Sequence, residues 1–279
     1  MNNLVSIVIP CYNDWQYVEQ AVASALNQTY YNIEVIVVDD GSNAETKAIL
    51  KKIEPRITKL ITQENQGQSA ARNVGIKAAK GEYILVLDSD DFFEPTFCEK
   101  AISFFLSDNE VKIVSCFANL ILNDGSIVIY ETRGGNVSDF LFGNKVLGTS
   151  LFKKVDWQNS GGYDISMRKG FEDWEFFIRL LKYGGYAKVV EEPLYNYRRR
   201  KETTTEIANE NKYELLYYIY DKHQDLYKIH FNSFINHLMY KIKEEEKEKI
   251  KNTQRLEFRI GKAILKPFRL FKSLLNSSY

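Results

Sequence analysis

The chain has 279 residues, 44% hydrophobic and 27% charged, with 37 cationic and 37 acidic side chains. That is globular composition, enough for one large core with an appendage, and its neutral balance gives no support to a nucleic-acid partner. Three scattered cysteines, Cys11, Cys98 and Cys116, offer neither a disulfide framework nor metal-ligand spacing and fit a reducing cytosol.

The opening run Val5-Ser-Ile-Val-Ile9 predicts a buried strand ending in Pro10-Cys11-Tyr12-Asn13. It has no basic leader, so no signal peptide is expected, and no apolar run reaches the ~20 residues of a membrane span. Gln16 to Leu26 carries Val18, Val22, Ala25 and Leu26 at helical spacing. A second strand, Ile33-Glu-Val-Ile-Val-Val38, ends in Asp39-Asp40-Gly41-Ser42. A helix over 45–53, a strand over 57–62, a helix over 69–79 and a strand over 83–87 follow. This alternation implies a parallel sheet with right-handed crossovers.

The strand over 83–87 delivers Asp88-Ser89-Asp90-Asp91, three carboxylates in four residues, at its C-terminal end. Ligands of open α/β sheets sit at that rim. Clustered carboxylates raise each other's pKa unless a cation neutralises them, and Mg²⁺ is held by one or two carboxylates together with substrate phosphates. A lone acidic turn would read as a helix cap; a second acidic strand end at Asp39-Asp40 makes coincidence harder to sustain.

Beyond Cys116, Phe117 to Leu122 and Ile127 to Tyr130 flank Asn123-Asp124-Gly125-Ser126 and predict a hairpin. Asp173 to Lys182 reads as a helix with Trp174, Phe177, Ile178 and Leu181 on one face, and Val189-Val190 as a short strand. After Thr205 the chain reads as helix almost throughout. Glu244 to Lys249 is a mixed-sign solvated face, and His223, His230 and His237 fall seven apart, as if on one helix face. In the last segment Arg255, Arg259, Lys262, Lys266, Arg269 and Lys272 face one acid, Glu257, a charge of +5, while Ile260, Ile264, Phe268, Phe271 and Leu275 form an apolar stripe. Such a segment suits an anionic membrane interface, or packing on the main domain; Pro267 is expected to split it in two.

Seven segments resemble, in order and spacing, the inverting nucleotide-sugar-dependent glycosyltransferases of family 2. They are Val5 to Asn13, Ala25 to Tyr30, Val37 to Ser42, Gln66 to Gly75, Leu87 to Asp91, Gly161 to Asp164 and Gly170 to Trp174, within residues 4–205. The resemblance implies an α/β GT-A fold: a mostly parallel, Rossmann-like central sheet flanked by helices. It implies a catalytic domain over 1–205 (1–115 donor side, 116–205 acceptor side) and a helical extension over 206–279.

It also implies roles. Pro10, Tyr12, Asp39 and Asp40 would meet the base and ribose, with Asp40 favoured for the base. Arg72, at a helix start after Gln66-Gly67-Gln68, would face the nucleotide. Asp90 and Asp91 would lie near Mn²⁺ or Mg²⁺, Asp88 nearer the ribose or behind the metal's direct ligands, and Ser89 would meet the nucleotide sugar. Arg198 and Arg200, in a loop over Tyr195 to Lys201, would contact the leaving diphosphate; relatives often carry histidine near Arg200. Gly162, Tyr163, Asp164, Glu172 and Trp174 would line the acceptor side, and Asp173 would be the general base, kept ionised by the helix N-terminus.

The implied activity is sugar transfer from a nucleoside-diphosphate sugar, UDP-sugar favoured, to a glycan or lipid-linked acceptor in bacterial surface polysaccharide synthesis. The enzyme would be peripheral on the cytoplasmic face of the plasma membrane. The competing class is a non-catalytic glycan-binding or scaffold subunit. A haloacid-dehalogenase-like phosphohydrolase is excluded, because Phe92 follows Asp91 and the first strand ends in Pro10-Cys11. Oligomeric state is left open.

Overall fold

The computed structural model describes residues 3–200 and 204–276, with side chains over 3–200 and 206–266. The first half alternates as its periodicity predicts: β1 (Val5–Cys11), α1 (Val18–Leu26), β2 (Ile33–Asp40), α2 (Ala44–Ile53), β3 (Lys59–Gln63), α3 (Gln68–Ala78) and β4 (Tyr83–Val86). Then come β5 (Phe92–Phe93), α4 (Phe97–Ser107), β6 (Val111–Ile121), β7 (Ile127–Tyr130), α5 (Val137–Phe140), β8 (Leu151–Lys153), α6 (Lys154–Ser160), α7 (Glu172–Leu181) and β9 (Tyr186–Arg198). The remaining elements are α8 (Thr204–Glu210), α9 (Lys212–Lys222), α10 (Gln224–Ile229), α11 (Phe231–Gln254) and α12 (Leu256–Asn276).

One sheet runs β3-β2-β1-β4-β8-β6-β9-β5, with β7 paired to β6. The strands from β3 to β4 are parallel. β8 is antiparallel to both β4 and β6 and joins this half to the β6–β9 half. Every residue of β1 and β4 is buried, as expected for parallel strands covered on both faces, which therefore read as unbroken apolar runs. On α1 the buried residues are Val18, Ala21, Val22 and Ala25, one helical face against the sheet. The β6–β7 hairpin turns at Gly125, whose φ of +81° suits glycine.

Three expectations need correction. The short strand at Val189-Val190 is part of a 13-residue strand. Its Glu191-Glu192-Pro193 interruption is absorbed where the β6–β9 register shifts. Tyr195 to Arg198 are therefore strand rather than loop, and Lys201 lies outside the described residues. Second, α12 continues through Pro267, and the break falls at Arg255, whose ψ is 145°. Third, the histidines do not share a face: His223 ends α9, His230 precedes α11 and His237 lies within it.

The chain forms two compact units, residues 1–226 and 227–279. The first extends past the composition shift at Thr205, because Leu215 and Ile219 of α9 are buried. No helix among the described residues is long and apolar enough to cross a membrane.

Candidate active site

The C-terminal ends of β1, β2 and β4 form one rim, and the expected donor-side carboxylates lie on it. Asp40 is taken up by the protein itself: Gln63 Nε2 (2.7 Å) and Gln66 N (2.9 Å) donate to Oδ1, and Gly67 N (2.8 Å) donates to Oδ2. These bonds clamp the entry to α3. Asp39, also buried, accepts from Ser42 N at 2.9 Å. Tyr12, 51% exposed, presents an open ring, whereas Pro10 is buried in β1.

The acidic turn after β4 divides its labour. Asp88 Oδ1 accepts from Gln68 Nε2 and Arg72 Nη2, both at 2.9 Å. Ser89 Oγ donates to Asp14 Oδ2 at 2.5 Å. Burial, then the Asp88 charge, pushes Asp90 up to about 6. Its Oδ2 meets Arg200 Nη2 at 2.5 Å, while Arg200 Nη1 meets Asp14 Oδ1 at 2.8 Å.

Asp91, expected beside a metal, is 1% exposed and accepts from Tyr195 Oη (2.5 Å) and Arg198 N (2.7 Å). It fastens the end of β9 to the rim. Burial, then Asp90, pushes it up to about 8. Arg198, expected on the diphosphate, is likewise engaged: it donates to the Asp90 carbonyl and to Gln20 Oε1 and lies over the rings of Tyr17 and Phe92.

Arg72 joins the two sides of the site. It is 2% exposed, not a surface residue, and holds Glu172 Oε1 at 2.7 Å as well as Asp88. Its guanidinium lies 5.3 Å from the Tyr163 ring centroid. Buried Tyr163 leaves its hydroxyl without a hydrogen-bond partner, and both neighbouring carboxylates, Asp173 and Glu172, act on it electrostatically.

Asp173 opens α7 directly after Glu172 and is half-buried. Asn144 Nδ2 donates to its Oδ2 at 2.8 Å, and Trp174 N to its Oδ1 at 2.7 Å. A Cβ on Gly148 would stand 2.7 Å from Oδ2, so glycine leaves room for the carboxylate. The helix N-terminus does not dominate its ionisation: burial, then the Glu172 charge, pushes Asp173 up to about 6. A base of that pKa is largely deprotonated at neutral pH yet a competent proton acceptor.

The remaining acceptor-side expectations are mostly architectural. Trp174 is buried and donates to the Phe140 carbonyl at 2.6 Å. Tyr163 packs on Phe176, with ring centroids 4.2 Å apart. The Gly162 carbonyl accepts from Arg179 at 2.6 Å. Asp164 accepts from Ser166, Tyr218 and Lys222, anchoring α9, and these bonds hold it well below the usual carboxylate range against the cost of burial.

Sequence reading missed Asp14, Asn144 and Gly148, which carry no conspicuous pattern, and gave no role to Gln68 although it lies within the matched segment Gln66 to Gly75. Among the described residues, Asn13 and Phe171 are the non-glycine residues with positive φ, 58° and 61°. Each immediately precedes a site residue, Asp14 or Glu172. Strain of about 1–3 kcal/mol per residue is tolerated where surrounding structure fixes a functional loop.

A parallel half-sheet with carboxylates on its rim, joined through an antiparallel strand to a half carrying an acidic helix start, is the GT-A architecture. The S. aureus TarS crystal structure in complex with UDP-GlcNAc aligns with a TM-score of 0.61 at 19% identity, covering 72% of this chain and 60% of that one. The mannosyltransferase PcManGT from Pyrobaculum calidifontis, in complex with GDP-Man and Mn²⁺, gives 0.55 at 20% identity, covering 72% and 58%. Residues 6–154 match Glycosyl transferase family 2, and the chain belongs to that family. It is 36% identical over 157 residues to an uncharacterized glycosyltransferase of Haemophilus influenzae, covering 55% of each chain. It is 30% identical over 247 residues to the hyaluronan synthase of Pasteurella multocida, covering 80% of this chain and 25% of that one. The chain thus spans about half of the first relative and a quarter of the second.

Proposed function

We propose that this protein is an inverting glycosyltransferase that moves a sugar from a UDP-sugar to a glycan or lipid-linked acceptor in bacterial surface polysaccharide synthesis. One juxtaposition supports this above the alternatives: Arg72 holds Asp88 of the donor rim and Glu172, the neighbour of Asp173, in one buried ion-pair chain. A scaffold subunit has no use for a half-buried carboxylate of raised pKa beside that chain.

Tyr12 would offer its exposed face, and Asp39 its carboxylate, to the base and ribose. Asp173 would take the acceptor hydroxyl's proton as the oxygen attacks the anomeric carbon opposite the leaving diphosphate, a role worth 10²–10⁴-fold. Gly148 and Asn144 keep that carboxylate in place.

The acidic turn fits a hard divalent cation. Asp90 is destabilised as an anion by burial and by Asp88, so added positive charge is favourable there. No three acidic, imidazole or thiol groups among the described residues form a complete cage. Mn²⁺ and Mg²⁺ are commonly held by one or two carboxylates, with diphosphate and water completing the shell. Asp90, with Asp88 beside it, would hold the ion, which when bound neutralises charge on the leaving diphosphate.

The C-terminal unit supports peripheral attachment to the cytoplasmic face of the membrane. Leu256, Phe258, Ile260, Ile264 and Leu265 of α12 are exposed, alongside Arg255, Arg259, Lys262 and Lys266. A thermal-shift panel of nucleotide sugars with Mn²⁺, followed by assay of released nucleoside diphosphate, tests the reading. A donor that raises the melting temperature and turns over supports it; binding without turnover by the full-length protein favours a scaffold.

A further inference from the structure

We propose that Arg200 is the resident counter-ion of the Asp14–Asp90 carboxylate pair and that a divalent cation enters this site by displacing it. The inference rests on the glycosyltransferase reading above and concerns how metal and donor depend on one another.

Arg200 bridges carboxylates from two different loops, Asp14 after β1 and Asp90 after β4, at 2.8 and 2.5 Å. Its guanidinium lies 5.2 Å from the Tyr17 ring centroid. Asp14 uses its second oxygen for Ser89, so that carboxylate is held in position whether or not a guanidinium joins it. Two carboxylates that share one guanidinium repel each other less while a cation stands between them.

The two arginines at the end of β9 differ in freedom. Arg198 is tied by its own backbone N–H to Asp91 and by its side chain to a main-chain carbonyl. Arg200 reaches Asp14 and Asp90 through its side chain, which is 38% exposed. It can leave without breaking the sheet. A divalent ion on Asp90 would repel the guanidinium and replace its charge. The displaced arginine then needs a new anion, and the diphosphate of the donor supplies one; a guanidinium fork suits phosphate oxygens.

Metal and nucleotide should therefore bind with positive coupling. The metal alone must evict Arg200 into water, whereas the metal with UDP gives it a partner. The same coupling must appear in both binding constants.

The test is equilibrium binding of Mn²⁺ to the full-length protein, followed by the electron paramagnetic resonance of free Mn²⁺, without and with saturating UDP. Wild type should bind Mn²⁺ weakly alone and roughly 5-fold or more tightly with UDP. Arg200→Gln should bind Mn²⁺ alone roughly 5-fold or more tightly than wild type and lose most of the UDP enhancement. Arg200→Lys keeps the charge and should stay close to wild type for Mn²⁺ alone. A merely structural arginine would weaken both constants together on removal. Unchanged or weaker Mn²⁺ affinity in Arg200→Gln overturns the exchange, and if Asp90→Asn abolishes Mn²⁺ binding in the same series, the metal reading survives that failure. Wild type that binds no Mn²⁺ even with UDP overturns both.

Discussion

Arg72 and Glu172, one hundred residues apart in the chain, meet at 2.7 Å in a buried ion pair that begins one residue before the candidate base. Arg72 also holds Asp88, so a single guanidinium fixes the distance between donor rim and acceptor side. Its positive charge also lowers the pKa of Asp173, against the larger effects of burial and Glu172.

Arg72→Met removes that charge and leaves Asp88 and Glu172 without their cation. Breaking a buried pair from one side costs about 3–5 kcal/mol, so the melting temperature should fall clearly. The base works deprotonated, and losing a nearby cation raises its pKa. The acid limb of kcat/KM, expected near pH 6 in wild type, should therefore move to higher pH. An unmoved limb in a folded variant would remove Arg72 from any influence on the base.

Asp173→Asn keeps the shape and removes the basicity. Transfer should fall by about 10²–10⁴-fold while donor binding, read by thermal shift with UDP-sugar, stays within a few-fold. Equal losses in rate and donor affinity would instead make Asp173 a binding residue.

Gly148→Ala tests the pocket behind the base. The added methyl would meet Asp173 Oδ2 at 2.7 Å, and the carboxylate must shift. Turnover should drop at least about ten-fold while stability changes by no more than the ~1–3 kcal/mol of an overpacked site. Gly261→Ala, within α12 where no atom lies within 4 Å, should leave turnover unchanged and stabilise the helix by no more than about 1 kcal/mol.

Truncation after Lys251 removes α12 with its exposed apolar and basic residues. Full-length protein should bind anionic vesicles, and raised salt should weaken that binding, because exposed charges are screened over ~10 Å at 0.1 M. The truncated form should lose vesicle binding and turn over soluble acceptors better than lipid-linked ones. A truncated protein that melts well below full length, together with full-length protein indifferent to vesicles, would assign the segment to packing.

The parallel half of the fold was legible because strands buried on both faces are written as runs such as Val35 to Val38, each ending in acid or turn residues at the rim. The helix that Asp173 begins was legible from its apolar face, and the structure starts it at Glu172. Partnerships were not: Arg72 with Glu172, Asp91 with Tyr195 and Asp14 with Arg200 join residues far apart in sequence, and local spacing carries no trace of them. Motif position carries no sign of the contacts these residues make within the protein. Asp40, Asp91, Tyr163, Asp164 and Trp174 occupy motif positions yet turn inward, to fasten a loop, a strand end or a helix. β9 escaped notice because Glu191-Glu192-Pro193 breaks the apolar alternation within a strand that a register shift keeps whole.

The bond from Arg198 N to Asp91 sets a leash. Arg200 lies two residues beyond that pin, and an extended chain spans about 3.3–3.6 Å per residue, so its backbone can stray roughly 7 Å from the rim. Within that radius a guanidinium can pass from carboxylate to phosphate by turning its side chain. Such turns take picoseconds to nanoseconds at exposed positions, far faster than a domain closing. Trading one anion for another at this corner would never set the pace of turnover.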